Sequence, residues 1–209
     1  MASIFQRAMG SDFERLHPKM RARLSTGLDR GATCVATGIM SRIWHGTPLL
    51  KPLLHLAAAE RLLLPETGTD VPFTMENRPI RDAAGRDGLT YSRTFEMPRR
   101  NRRFDTVTIL DPATNQLIDI LGAHRLITAE WRLSVDARGG LVIRGGRQRI
   151  RLGSRYLPLP RFLSAETEIH DWYEDSSGRF RIDVRITHPR LGTILGYQGT
   201  FTCRFVDAD

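Results

Sequence analysis

Three polar residues that could carry acid–base chemistry lie close together in the sequence: Asp119, His124 and Glu130. A histidine with two carboxylates can supply the base, the acid and the orienting group that such a reaction needs. Their proximity in the sequence allows them to converge in the fold. They are the candidate catalytic residues of an enzyme hypothesis, in which the protein is a small hydrolase or isomerase.

Motifs for established catalytic or metal chemistry are absent from the sequence. It has no glycine-rich phosphate loop and no GxSxG nucleophile elbow. His45 and His55 have no acidic partner at metal-ligand spacing, and Cys34 and Cys203 are far apart and match no CxxC pattern. The sequence therefore predicts no metal, no cofactor and no disulfide framework, and the two cysteines are expected to be small buried apolar residues.

An arginine among aromatic residues gives the strongest candidate binding site. In the segment YSRTFEM, the alternation of a strand places Tyr91, Arg93 and Phe95 on one face. Asp119 lies on the apolar face of its own predicted strand and could be the counter-ion of Arg93. A buried arginine–aspartate pair is more often structural, whereas an arginine reserved for a ligand carboxylate or phosphate is the functional alternative. Both interpretations remain open at this point.

The densest positive cluster is RRNRR at residues 99–103. Such a run is usually a solvated loop, although at the opening of a barrel it could hold an anionic head group or phosphate. Arg103 differs from the others because it leads directly into a predicted strand at 104–110, so we expect the sheet to fix it.

Helices are predicted in two places. Ser3 with Gln6, and then Ser11 with Glu14, match capping boxes, so residues 1–30 are predicted to form a helical N-terminal segment. The most apolar stretch predicts a helix over 51–64. Its length of roughly 21 Å is short of a bilayer's hydrocarbon core of about 30 Å, so we predict no transmembrane span. This helix is expected to pack against a sheet, or alternatively to lie on a membrane or cover an apolar cavity.

From Val71 onward the apolar pattern has a period of two, which predicts strands separated by short turns. An earlier strand is predicted over 32–40. The later ones are 71–77, 89–96, 104–110, 116–121, 125–136, 140–152, 164–174, 179–188 and 193–206. A change of phase at Gly145 and Gly146 predicts a β-bulge. A sheet of so many strands curls into a barrel or half-barrel.

A turn at Ser176 and Ser177 predicts the register of one hairpin. It pairs opposite charges on one face and apolar residues on the other. The polar pairs are Glu174 with Arg179, His170 with Asp183, and Glu168 with Arg185; the apolar pairs are Tyr173 with Phe180, Ile169 with Val184, and Thr167 with Ile186. The next turn predicts four more pairs, which are His188 with Thr193, Ile186 with Leu195, Val184 with Tyr197, and Phe180 with Phe201. We interpret the charged pairs as partners that set the fold.

The overall composition is that of a globular protein, which we predict to be one domain over 1–209. Its net charge of +8 comes almost wholly from 29 arginines, against 2 lysines. These arginines are spread along the chain without an obvious patch, which disfavours nucleic-acid binding. Arg7 interrupts the apolar residues of the N-terminus, so no secretory signal is predicted and a cytoplasmic location is expected.

Five segments together resemble a bacterial family known as domain of unknown function 4166. They are SIFQRAMGSDFERLHPKMRARL, YSRTF, RRFDT, LGSRYLPLPRFL and GRFRIDVRITHPRLGTILGYQGTF. Members of that family stand alone or follow a nicotinamide-cofactor-binding domain of the saccharopine reductase or epimerase type. The resemblance implies an accessory role to a nicotinamide-dependent reductase, and it assigns no functional residue.

The sequence as a whole predicts an α+β fold. We expect a strongly curved antiparallel sheet or open β-barrel of about 8–10 strands, with the helices packed on it or across its opening. The preferred function is non-catalytic binding of an apolar or amphipathic small molecule, with any anionic group held by arginine. The predicted ligand-binding residues are Tyr91, Arg93, Arg103, Trp131, Tyr156 and Tyr197. The rivals are an enzyme acting in the same cavity and a solid-cored module that docks on a reductase.

Overall fold

One antiparallel sheet organises the chain, and it closes into a barrel. The computed structural model describes residues 2–25, 32–46, 51–153 and 155–207. Its eleven strands are, in chain order, β1 (Thr33–Trp44), β2 (Gly68–Arg81), β3 (Asp87–Glu96), β4 (Asn101–Leu110), β5 (Leu117–Leu121), β6 (Ile127–Val135), β7 (Leu141–Leu152), β8 (Arg155–Pro158), β9 (Glu166–Glu174), β10 (Arg179–His188) and β11 (Gly192–Val206). Neighbouring strands follow the order β6-β5-β4-β3-β2-β1-β11-β10-β9-β7-β8, and β6 also pairs with β7.

The pairing of β6 with β7 closes a ring of ten strands, to which the short β8 is attached through β7. The predicted curved antiparallel sheet is therefore confirmed, and its open form is corrected to a closed barrel. Closure satisfies the backbone groups that an open sheet would leave unpaired at its two edges. We call the end where β1 begins the base of the barrel, and the end where β1 finishes the mouth.

Three short helices cover the base. They are α1 (Ile4–Met9), a 3₁₀ helix (Gly10–Arg15) and α2 (Pro18–Leu24). The Ser3–Gln6 capping box is confirmed, whereas the second predicted box falls in the 3₁₀ helix. The backbone NH of His17 donates to the carbonyl of Gly139 (2.9 Å), in the turn between β6 and β7. Apolar side chains of this segment are buried in the core: Ile4, Phe5, Phe13, Leu16, Met20 and Leu24.

Helix α3 (Lys51–Ala59) and the segment after it lie at the mouth. The helix ends five residues before the predicted Leu64, because Arg61 adopts a left-handed backbone (φ 54°). The backbone NH groups of Arg61 and Leu62 donate to the carbonyls of Ala58 and Ala57, which is the Schellman pattern that ends helices. Leu54 and Leu64 are fully buried. Among the described residues, no helix is both long and apolar enough to span a bilayer.

The predicted register of the hairpin formed by β9 and β10 is confirmed at every predicted pair. The ion pairs are nevertheless formed with other neighbours: Glu174 binds Arg181 (2.8 Å) and Asp183 binds Arg185 (3.2 Å). His170 lies 3.3 Å from Glu168, which also pairs with Arg144. Register thus fixes which residues share a face, and side-chain length then decides which charges meet.

The ladders of the described strands shift register at three places: between β6 and β7, between β10 and β11, and between β1 and β11. The predicted bulge is confirmed, since Trp131 pairs with Gly145 whereas Ala129 pairs with Gln148. In the ladder between β10 and β11, three of the four predicted pairs are confirmed, but His188 pairs with Gly192 and not with Thr193. An additional residue on β11 near the turn shifts the register by one between Ile186 and Thr187.

Candidate functional site

Four polar side chains from three adjacent strands enter the apolar interior. Arg93 comes from β3, Thr106 and Thr108 come from β4, and Asp119 comes from β5, and each is at most 8% exposed. They share the inner face because alternate residues of a strand point the same way. Thr108 and Asp119 are direct cross-strand neighbours. The barrel therefore places an arginine and an aspartate inside, with two threonines on the strand between them.

The guanidinium of Arg93 is held mainly by aromatic rings. Its central carbon lies 5.0 Å from the ring centroid of Tyr91 and 5.0 Å from that of Phe104. One guanidinium nitrogen, Nη1, donates a long hydrogen bond of 3.4 Å to the Thr106 hydroxyl. Within the part of the chain that the structure describes, no carboxylate forms an ion pair with Arg93.

Asp119 is held by threonine and not by arginine. The Thr108 hydroxyl donates a 2.8 Å hydrogen bond to Asp119 Oδ1. Burial raises the pKa of Asp119 to about 6, and the hydrogen bond from Thr108, the charge of Arg93 and a hydrogen bond from Thr106 oppose this effect. Near neutral pH the interior therefore contains a permanent cation and a carboxyl group close to its titration point.

Two tyrosine hydroxyls are also enclosed here. Tyr91 is 8% exposed and Tyr197 is 2% exposed, and burial raises the pKa of both phenols, so each keeps its proton. Neither hydroxyl makes a hydrogen bond to any described residue. Both phenol rings line the interior, and that of Tyr91 contacts the Arg93 guanidinium.

A second arginine–aspartate pair lies inside the same barrel. Arg23 of α2 forms a hydrogen-bonded ion pair with Asp171 of β9, and its side chain is 5% exposed. The Arg23 guanidinium carbon lies 4.6 Å from the ring centroid of Phe180 and 5.2 Å from that of Phe201. Burial raises the pKa of Asp171, and the charge of Arg23 opposes that effect. This pair attaches the helical segment at the base to the barrel wall.

The two cysteines, predicted only as small buried residues, are neighbours beside this second pair. Cys203 of β11 lies opposite Ala36, two residues from Cys34 on β1. A hydrogen bond from Cys203 is the largest of the effects on Cys34 and holds the pKa of that thiol below its usual value, against the effect of burial. Cys34 is fully buried, as predicted, whereas Cys203 is half-buried, and both thiols are free.

The structure separates the predicted ligand-binding residues into two groups. Four of them are buried inside the barrel: Tyr91, Arg93, Trp131 and Tyr197. Arg103 lies on β4, is half exposed and pairs with Asp105 of the same strand (3.1 Å). Tyr156 lies on β8 at the mouth, where its hydroxyl donates to the carbonyl of Arg125 (2.9 Å).

The three candidate catalytic residues do not converge. Asp119 points inward, whereas Glu130 pairs with Ile118 on the opposite face of the sheet. His124 is 72% exposed at the mouth and lies 2.8 Å from Glu60. No acid–base group can therefore be assembled from these three side chains.

Sequence reasoning missed Arg23, Asp171 and the two threonines. Asp171 could have been found, because the predicted hairpin places it on the apolar face opposite Ile182. Arg23 carries no such signal, since it lies in a short helix rich in basic residues.

Comparison with known proteins identifies the family. The sequence profile described as "Domain of unknown function (DUF4166)" matches residues 16–201. The chain belongs to this family. The chain is also 31% identical over 201 residues to "Uncharacterized protein YndH" of Bacillus subtilis (strain 168), an alignment that covers 96% of this chain and 97% of that protein. The resemblance noted from the sequence is thereby confirmed.

This DUF4166 member also has a polar groove on its outer surface, with a volume of about 1010 Å³. It lies where β7 changes partner, from β9 at residues 141–144 to β8 at residues 149–152. Five arginines line it, namely Arg132, Arg144, Arg147, Arg161 and Arg185, together with Glu130, Glu166 and Glu168. Both signs of charge therefore line this open groove.

Proposed function

We propose that the barrel binds a small amphipathic anion in its interior, without catalysis, and that Arg93 holds the anionic group. The observation that carries this proposal is the buried guanidinium of Arg93, which no carboxylate of the described residues pairs with. A protein that retains a buried charge without a partner keeps it at a cost, and binding an oppositely charged ligand recovers that cost.

Energetic considerations favour a ligand over a purely structural role for Arg93. Each cation–π contact contributes about 0.5–2 kcal/mol, whereas the effective cost of burying an ion is several kcal/mol. A carboxylate or phosphate that accepted two guanidinium NH groups would form the strong bidentate arrangement for which arginine is suited. It would also use donor groups that the single long bond to Thr106 leaves available.

The surroundings of Arg93 support a ligand with an apolar part. Tyr91, Phe104, Trp131 and Tyr197 are all buried inside the same barrel. A ring of ten strands is wider than the eight-stranded barrels whose interior is filled by side chains or holds one small ligand. We place the access route at the mouth, where the cover is one short helix and the segment that follows it. The base is covered by three helical segments tied to the wall.

The test compares two probes that differ only in charge. Dodecanoate and dodecanol are titrated into the protein by calorimetry. We expect dodecanoate to bind at least tenfold more tightly, since a charged hydrogen bond contributes about 1.5–3 kcal/mol. R93M should abolish that preference. The matched control is R103M, which removes an exposed arginine and should leave the preference intact.

Two results would overturn the proposal. One is equal binding of dodecanoate by R93M and the unaltered protein, and the other is no binding of either probe. Native mass spectrometry of the purified protein would then show whether a different small molecule co-purifies with it.

We further propose that such a binding protein serves a nicotinamide-dependent reductase by holding its substrate or product. This proposal rests on the family context that the sequence resemblance implies. The measurement is co-purification of a reductase with the tagged full-length chain, and absence of one from a cross-linked sample would argue against it.

A further inference from the structure

Exposed apolar side chains are concentrated at one part of the mouth. Of the eight large apolar residues that are exposed among the described residues, four lie within residues 152–163. They are Leu152 (58%), Leu157 (45%), Phe162 (63%) and Leu163 (58%). The pairing of β7 with β8 puts Leu152 and Leu157 on the same face of their ladder. Apolar groups gathered in this way are typical of interaction surfaces.

The fold holds this segment in place. The ring of His188 is 2.8 Å from the carbonyl oxygen of Phe162, and the side-chain amide of Gln148 bonds both the NH and the carbonyl of Ala165. The backbone NH of Leu191, another exposed apolar residue, donates to the carbonyl of His188 (3.2 Å). The connection between β10 and β11 therefore extends the surface, which we call the apolar rim: residues 152–153, 155–163 and Leu191.

The sequence of the apolar rim and its flanks carries charge of one sign, although Glu130, Glu166 and Glu168 line the groove beside Arg147 and Arg161. Residues 144–165 contain six arginines and no aspartate or glutamate. In the described part of the chain only one of the six, Arg144, forms an ion pair, with Glu168. The other five are Arg147, Arg149, Arg151, Arg155 and Arg161. Arg155 lies opposite Leu152 and shares its face, whereas Arg149 and Arg151 lie on the other face of the ladder between β7 and β8. A surface that combines exposed leucine and phenylalanine with Arg155 and Arg161 is complementary to a partner with an anionic outer layer and an apolar layer below it.

We propose that the apolar rim docks on an anionic lipid surface. Leu152, Leu157, Phe162 and Leu163 enter the boundary between head groups and acyl chains, and Arg155 and Arg161 contact the phosphates. Interfacial binding of this kind scales with buried apolar area and with attraction to anionic lipids. A nucleic acid would match the arginines but would leave the leucines exposed. This inference is independent of the proposed interior site, because neither surface shares a residue with the other.

The test is flotation of the full-length protein with vesicles of two compositions. One is phosphatidylcholine alone, and the other contains phosphatidylcholine and phosphatidylglycerol in a ratio of about 7:3. We expect at least tenfold stronger binding to the anionic vesicles, weakening as sodium chloride rises because salt screens the attraction. F162S/L163S and, separately, R155Q/R161Q should each reduce binding about tenfold or more.

Matched controls use exposed residues elsewhere on the barrel. I39S removes an apolar side chain that is 48% exposed on β1, and R78Q/R204Q removes two exposed arginines of β2 and β11. Both controls should bind vesicles like the unaltered protein. Thermal melts establish that each variant is folded. The two rim variants change different residues, so if one of them does not fold, the other still tests the proposal.

The proposal is overturned if the protein fails to float with anionic vesicles at low salt, or if the rim variants bind them as well as the controls. A short DNA duplex that competes fully with the vesicles and binds F162S/L163S normally would assign the surface to nucleic acid instead. Binding to an acidic protein without binding to vesicles would equally contradict it.

Discussion

The barrel encloses two arginine–aspartate sets that share their chemistry but differ in contact. Arg23 and Asp171 form a direct ion pair, with aromatic rings beside the guanidinium. Arg93 and Asp119 also lie among aromatic rings, yet each bonds a threonine and they form no ion pair with each other. The same residue types therefore form a direct ion pair in one place and, in the other, leave a guanidinium that pairs with no carboxylate of the described residues.

The difference follows from the elements that carry the residues. Arg93 and Asp119 lie on β3 and β5, with β4 between them, so their strands are about 10 Å apart. Arg23 enters from a helix at the end of the barrel, and no strand separates it from Asp171. A sheet fixes the distance between side chains on second-neighbour strands, whereas a helix across the end can place an arginine directly against the wall. An open buried cation is thus a consequence of strand order.

The largest predicted effect concerns the ion pair of Arg23 and Asp171. R23M should lower the free energy of unfolding by about 3–5 kcal/mol, because it leaves Asp171 buried without its counter-charge. R23M/D171L should recover part of that loss, since it removes both charges. The measurement is urea denaturation followed by circular dichroism.

R21M is the matched control for R23M. Arg21 lies on the same helix but pairs with Glu14 at the surface, so its loss should cost less than about 1 kcal/mol. Equal destabilisation by R21M and R23M would show that the Arg23–Asp171 contact is not what attaches the helix.

The next largest effect concerns Asp119 and depends on pH. Because burial raises the pKa of Asp119 to about 6, folding favours its protonated form. Its contribution to stability is complete below the unfolded pKa of about 3.9 and is lost as pH rises through 6. D119N removes this titration. Its advantage in unfolding free energy over the unaltered protein should grow by about 2–3 kcal/mol between pH 4 and pH 7.5.

Denaturation curves at several pH values measure this advantage directly. D105N is the comparison, because Asp105 is a partly exposed carboxylate of β4 that pairs with Arg61 and Arg103. A constant difference between D119N and the unaltered protein across this range would contradict the account of Asp119.

A smaller effect on the free energy of unfolding is expected for Arg93. R93M should change the free energy of unfolding by less than about 1 kcal/mol, or raise it, since a buried cation that pairs with no carboxylate of the described residues is replaced by an apolar side chain of similar length. R93M and R23M are measured in the same denaturation series, so that the energetic roles of the two buried arginines are compared directly. A loss as large as that of R23M would mean that Arg93 is structural.

The smallest effect belongs to the outer face of the hairpin. E174Q weakens the contact with Arg181, which lies largely at the surface. Such exposed pairs contribute little to stability, and the effect should fall further in high salt. A loss as large as that of R23M in the same denaturation series would give this face a larger structural role than we assign to it.

The sequence allowed the β-rich part of the fold to be predicted, and much less of the site. The register of the hairpin formed by β9 and β10 could be predicted because the alternation of polar and apolar residues and a tight turn together allow only one register. Arg93 was found because it interrupts an aromatic stripe. The contact between Arg23 and Asp171 could not be predicted from the sequence, since it joins a helix to a strand 148 residues later. The end of α3 was missed because the left-handed turn falls on an arginine, which carries no turn signal.

The most direct test of the account is the response of the two guanidinium groups to a ligand. In nitrogen-15 NMR spectra, the Nε–H resonances of Arg93 and Arg23 can be assigned by their loss in R93M and R23M. On titration with dodecanoate, we predict that the Arg93 resonance shifts to saturation while the Arg23 resonance remains in place. A shift of Arg23 without one of Arg93, or no shift of either at saturating dodecanoate, would contradict the assignment of Arg93 as the open cation of the barrel.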